Sequence, residues 1–243
     1  MTMKYLFLIK FIQKLYLTFK MRFFILFLSF SLIADEFKSW DAKFKFTHYS
    51  AGNITLKRSF KFDDNEITSR FVLRPLFIYE YSQKSSLVLE NNKVKTLFTK
   101  VKNNVPGSKE KSFEVSFLDN KIESQELGFA FLNEENVLDQ LGSDLQMRLN
   151  VKNGVDNFFL NVITNTEGKI VEREYKVVGE EVIKKKFGNI NCIKVKATSN
   201  DAGDITYYIS PEYDFMIIDS YIELRNGKIN KLSLVDEPKF LEE

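Results

Sequence analysis

Residues 42–62 read AKFKFTHYSAGNITLKRSFKF. Ala42, Phe44, Phe46 and His48 share one parity, and Lys43, Lys45, Thr47 and Tyr49 share the other. After Ala51-Gly52 the alternation resumes, with Ile54, Leu56, Phe60 and Phe62 in step. Strict alternation on both sides of a glycine-containing turn specifies a β-hairpin with one buried face.

The same signal runs down the chain from this hairpin. EITSRFVLR, PLFIYEYSQ and SSLVLENN follow, punctuated by Asp63-Asp64-Asn65 and Asn91-Asn92. KVKTLFTKVK at 93–102 alternates again, NNVPGSKE at 103–110 reads as a loop, and KSFEVSFLDNKIES comes next. Beyond Asn153-Gly154 the strands NFFLNVIT, KIVEREYKVVG, EEVIKKKF, NINCIKVKATS, DITYYIS, FMIIDSYIELR and KINKLSLVD are separated by glycine-bearing turns, Gly179 among them. About a dozen strands at this spacing predict a mainly β chain, an antiparallel barrel or half-open barrel.

One segment departs from the pattern. NEENVLDQLGSDLQMRL at 133–149 places Val137, Leu138, Leu141, Leu145 and Leu149 at helical spacing. It predicts one amphipathic helix near 133–149, capped by Asn133 with Glu134 and Glu135 at its positive end. Gly142 weakens it by about 1 kcal/mol relative to alanine. A lone helix in a β-rich chain covers a sheet or plugs a barrel.

The N-terminus is of a different character. Residues 1–34 contain no acid but hold Lys4, Lys10, Lys14, Lys20 and Arg22, and FFILFLSFSLIA at 23–34 is uncharged. A basic region, a short apolar core and Ala34 before Asp35 make a secretory signal pattern, with a start at Met21 giving a more compact version. The expected organisation is a signal peptide at 1–34 and a single β-rich periplasmic domain at 35–243. The alternative is an inner-membrane anchor formed by residues 23–34, which is short against the roughly 20 apolar residues of a spanning helix. Membrane contact is expected only through this segment, if it stays uncleaved. Without it, 30 basic residues face 33 acidic ones, so the body is mildly acidic and has no nucleic-acid footprint.

Chemistry is harder to find. One Cys and one His exclude an internal disulfide and a four-ligand zinc site. There is no G-x-S-x-G elbow, phosphate loop or EF-hand loop. His48 sits on a strand face beside Phe44 and Phe46, Cys192 lies in the alternating NINCIKVKA, and both read as structural. The acidic pairs Asp63-Asp64, Glu134-Glu135 and Glu180-Glu181 read as solvated turns or element ends. Lys184-Lys185-Lys186 reads as a solvated strand edge, with anionic lipid headgroups as the alternative. The expectation is a non-enzyme without cofactor or metal.

The C-terminal half resembles a known family. Phe187-Gly188 with Ile193-Lys194-Val195 forms a G-x-apolar … apolar-K-V strand pair. Tyr207-Tyr208-Ile209-Ser210-Pro211 with Tyr213 forms an aromatic turn, and Asn226-Gly227 closes a hairpin. These residues, and more loosely the opening hairpin, resemble the exported bacterial proteins called domain of unknown function 3108, over roughly residues 40–235. Met216-Ile217-Ile218 stands where members often carry a proline. The resemblance implies a periplasmic β-rich domain, a partial barrel, with no established activity and no catalytic residues to carry over.

The remaining feature is aromatic load, with seventeen Phe outside the leader. Inward aromatic residues either fill a barrel or line an apolar cavity. The cavity reading makes Phe44, Phe46, Phe60, Phe62 and Tyr207 the lining of a site for a lipid-like or amphipathic ligand. The filled reading makes the protein a structural or assembly factor of the envelope, with a protein partner and no small-molecule ligand.

Overall fold

The computed structural model describes residues 37–64, 66–75, 78–106, 112–118, 120–164, 168–199 and 203–241. The leader, its cleavage site and Phe77 lie outside these residues. So does the glycine of the loop read at 103–110.

The opening hairpin forms as its alternation dictates. β1 (Trp40–His48) pairs antiparallel with β2 (Gly52–Asp63), setting Phe44 against Leu56 and Trp40 against Phe60 on one face. Gly52 takes φ +75 in the turn, a conformation that costs a side-chain-bearing residue. β3 (Glu66–Leu73), β4 (Tyr81–Glu90), β5 (Lys93–Asn103), β6 (Phe113–Ser116), β7 (Lys121–Ser124) and β8 (Phe129–Leu132) continue away from β2 as a meander. On the other side of β1 lie β14 (Ile229–Leu234), β13 (Met216–Glu223), β12 (Asp204–Ser210), β11 (Gly188–Thr198), β10 (Ile170–Lys185) and β9 (Asn157–Ile163). β15 (Lys239–Phe240) is a two-residue addition to β1. The sheet is one antiparallel path from β8 to β9, and these two ends do not pair.

Several elements differ from the sequence expectation. PLFIYEYSQ is not a strand of its own, because β4 begins only at Tyr81. KIVEREYKVVG and EEVIKKKF are a single sixteen-residue strand, in which Gly179 is a bulge at φ +141 rather than a turn. Glu180-Glu181 therefore lies within a strand. FAFL at 129–132, unread in the sequence, forms β8.

The helix, α1, runs Gln140–Lys152, later than expected at both ends. Its N-cap is Asp139 and not Asn133. Asn133 instead accepts a hydrogen bond from the Val137 amide at 2.9 Å, shaping residues 133–138 as a non-helical strap in which Asn136 takes φ 49. Glu134 and Glu135 sit on that strap, and the first turn of α1 holds no acidic residue. Nor is the helix amphipathic, since Leu141 to Leu149 and Val151 are all buried. A helix surrounded on every side is a core element.

The strap also closes the seam that backbone pairing leaves open. Leu138 bridges β9 in parallel, donating to Asn161 and accepting from Ile163, both at 2.8 Å. Ile163 and Val137 then join Val101, Phe113, Val115, Phe117 and Ile122 in a small core. Apolar packing, not a ladder, joins the two ends of the sheet.

Candidate functional site

The interior of the curled sheet is where a ligand would lie, and α1 occupies it. The walls around the helix differ. On β10–β13 the inward residues are mostly apolar or aromatic: Tyr175, Val195, Ala197, Tyr207, Ile209 and Ile217 pack with Met147 and Val151 of α1, and the buried Arg173 is the exception. On β4 and β5 a polar set, Gln83, Ser85, Thr96 and Thr99, stands among the buried apolar Leu87, Val94 and Val101. Asp139, fully buried at the helix start, accepts from Gln83 Nε2 at 2.8 Å, Thr99 Oγ1 at 2.9 Å, Thr96 Oγ1 at 3.0 Å and the Gly142 amide at 2.8 Å. Ser85 Oγ donates to it as well. A buried carboxylate costs several kcal/mol in lost hydration. Charge-assisted hydrogen bonds of about 1.5–3 kcal/mol each offset that cost.

This cradle depends on a bulge. Thr96 and Thr99 are three residues apart and would lie on opposite faces of a regular strand. The β4–β5 register shifts between Ser86 and Leu87, so Leu97 is skipped and both threonines face Asp139. Gly142 is required by the same closeness: a Cβ there would lie 2.7 Å from Thr96 Oγ1 and 2.9 Å from Asp139 Oδ1. The glycine that weakened the helix in the sequence is what lets the helix dock.

A second polar group sits deeper along α1. Arg58 Nη2 contacts Asp144 Oδ2 at 2.8 Å in a buried ion pair. Gln140 Nε2 donates to Asp144 Oδ1 at 3.1 Å, and Arg173 Nη1 donates to Gln140 Oε1 at 3.0 Å. The Tyr207 hydroxyl reaches Asp144 at 3.5 Å. Burial pushes the phenols of Tyr207 and Tyr175 upward, so both remain neutral. Arg148 donates to the carbonyls of Phe215 (2.9 Å) and Asp214 (3.1 Å), with Trp40 and Phe60 rings 5.9 and 5.1 Å from its guanidinium carbon. Burial lowers its pKa to about 10, which leaves it charged at neutral pH.

The five residues expected to line a cavity are distributed across this packing. Phe44 and Phe60 are fully buried, Phe60 stacked on Trp40 at 5.9 Å and under Arg148. Phe46 and Phe62 are half-buried, Phe46 lying 6.1 Å from the His48 ring. Tyr207 is buried 6.5 Å from Tyr175. None of them lines the pocket of about 90 Å³ on the outer face, which is formed by Lys196, Asp204, Thr206, Tyr221, Glu223 and their neighbours.

Outside the barrel, the expected solvated lysine run is only partly solvated. The Lys185 side chain is buried, ion-paired with Asp219 and bonded to Ser233 Oγ at 2.8 Å, while Lys184 and Lys186 are exposed. In sheet order β10 and β13 are three strands apart, about 14 Å if flat. The contact requires the β10–β11 hairpin to arch back over the outer face. Ile190 and Cys192 are buried on that face, opposite in parity to Val195 and Ala197. Burial pushes the Cys192 thiol up to about 12, which leaves it no thiolate for chemistry at neutral pH. His48 Nδ1 faces the amides of Ser50 and Ala51 at 3.3 and 3.2 Å and shapes the first hairpin turn. Among the described residues no group of acidic, His and Cys side chains could hold a metal.

A solved β-barrel-like structure shares this architecture. A β-barrel-like protein of domain of unknown function DUF1849 from Brucella abortus matches with TM-score 0.59 and 10% identity, over 86% of this chain and 100% of that one. MucB matches with TM-score 0.37 and 8% identity, over 86% of this chain and 55% of MucB. The MucA/MucB complex of Pseudomonas aeruginosa gives 0.34 and 11%, over 85% and 53%. A search of curated proteins finds no match. The family model described as "Protein of unknown function (DUF3108)" matches residues 28–230, which cover the described β-sheet from β1 into β14, and this chain belongs to that family.

Proposed function

We propose that this chain is an exported, non-enzymatic protein of the cell envelope. It is a structural or assembly factor that acts through protein contacts, its barrel filled by its own helix. One observation carries the reading: the space a lipid would need is taken by α1, and α1 is bonded to the wall. Removing the helix to admit an acyl chain would leave Gln83, Ser85, Thr96, Thr99 and Arg58 facing it. Each such group stranded in an apolar setting costs about 1–3 kcal/mol. A lipid site wants the opposite lining. The leader pattern of residues 1–34 supports export. The inert thiol of Cys192 and the turn role of His48 support the absence of a nucleophile–base pair.

The test is native mass spectrometry of protein expressed from Met21 and recovered without detergent from the periplasm. It is paired with titration of a fluorescent fatty acid. The expected result is a mass beginning at Asp35, no adduct, and no saturable dye binding at micromolar concentration. A stoichiometric lipid adduct would overturn the filled-barrel reading. An unprocessed, membrane-bound form would overturn release from the membrane and point to anchoring by residues 23–34.

A further inference from the structure

We infer that the first half of β9 is a docking edge for an extended, basic segment of a partner protein, which adds a strand there. The inference rests on the reading above, that the chain acts through protein contacts.

The orientation of the edge follows from its own bonds. The Asn161 carbonyl and the Ile163 amide point to Leu138, away from β10. Both backbone groups of a strand residue point the same way, and direction alternates along the strand. Asn157 and Phe159 therefore aim their N–H and C=O outward, whereas Asp156 faces β10, its carbonyl taking the Val177 amide at 2.8 Å. Leu138 shows that this edge accepts a strand, since the chain covers its far end with one bridging residue of its own. Among the described residues none pairs with the near end. Proteins blunt such edges with charge, proline or a covering element. Here Phe159 stands 58% exposed on it, with Val155 exposed beside it.

The chemistry around the edge selects the partner. Glu174 lies directly across from Phe159 on β10, and Glu172 lies across from Asn161. Glu134 and Glu135 on the strap and Asp156 before the strand are exposed. On the facing stretch of β10 from Glu172 to Lys176, Lys176, across from Asn157, is the one exposed basic residue, and Arg173 is buried. An added strand would gain up to four backbone hydrogen bonds from Asn157 and Phe159. It would set apolar side chains near Phe159 and Val155, and its lysines or arginines would face the strap's Glu134 and Glu135 directly and the β10 glutamates across β9, about 10 Å away.

The probe is an acetylated, amidated heptapeptide of alternating lysine and valine, with its glutamate–valine counterpart as control, added at millimolar concentration to the full mature chain. Amide exchange followed by NMR is the readout. The expected result is at least a tenfold slowing at Asn157 and Phe159 with the lysine peptide and none with the glutamate peptide. Phe159→Pro removes an outward donor without touching the β9–β10 ladder, and should abolish the effect. Glu172→Lys combined with Glu174→Lys should reverse the peptide preference, and serves as the second arm should the proline variant misfold. Unslowed exchange at Asn157 and Phe159 with the lysine peptide would overturn the inference, as would equal slowing by both peptides. A lipid adduct in native mass spectrometry would instead overturn the reading beneath it, so the two failures are separable.

Discussion

The two walls that hold α1 use different physics. The β10–β13 wall meets Met147 and Val151 with rings and branched side chains, a contact that tolerates small shifts of the helix, with the Arg173–Gln140 hydrogen bond as its polar exception. The β4–β5 wall meets Asp139 with four side-chain donors, a contact that one position satisfies. Burial is non-directional and scales with area, whereas hydrogen bonds are directional and costly to leave unmade. One wall supplies most of the attraction, and the other sets where the helix sits.

That contrast can be broken from either side. Asp139→Ala should have the largest effect, about 4 kcal/mol, from the lost cap and the stranded donors of Gln83, Ser85 and Thr99. Urea unfolding would measure it. Beyond lower stability, the variant should lose near-UV dichroism and bind a hydrophobic dye while keeping its far-UV spectrum. Met147→Ala attacks the apolar wall and should cost about 3 kcal/mol. Its NMR spectrum should stay dispersed, because the helix position is still specified. Should both variants respond alike, the division of labour is wrong. Gly142→Ala should cost about 2 kcal/mol by pressing a methyl into Thr96 and Asp139, against the small gain that alanine brings to a free helix. A midpoint shift toward higher urea would contradict the docking role given to that glycine. Tyr207→Phe, where the two walls meet, removes a long hydrogen bond and should cost about 1 kcal/mol or less. Cys192, buried on the outer face, should resist a thiol reagent at pH 8 until urea opens the molecule, and fast labelling of native protein would show that the β10–β11 hairpin lifts locally.

Strand content was legible because alternation is local. AKFKFTHY and NITLKRSFKF became β1 and β2 with their apolar parity facing inward. Arg58 shows where that reading stopped. It shares the parity of Leu56 and Phe60 and belongs to the interior, but counting only apolar residues passed over it. A charged residue on an inward parity was the available signal of a buried polar partner. Gly179 misled for a related reason, since a bulge and a turn use the same residue. At 133–139 the leucine spacing suited a helix, yet Leu138 found a strand to pair with and Asp139 found its donors, so tertiary contacts delayed the helix start.

Composition and short-range pattern by themselves determined that this chain is mainly antiparallel β with one helix, and resemblance placed it in its family. Both depend on neighbours a few residues apart. The tertiary structure alone decided that the helix fills the barrel, that Gly142 is a contact point, and that the outer edge of one stretch of β9 takes no pair among the described residues. Those outcomes rest on partners from 23 to 86 residues away, such as Leu138 with Asn161, Thr99 with Asp139 and Arg58 with Asp144. Such pairs leave no local period, because nothing in either segment alone encodes the distance between them.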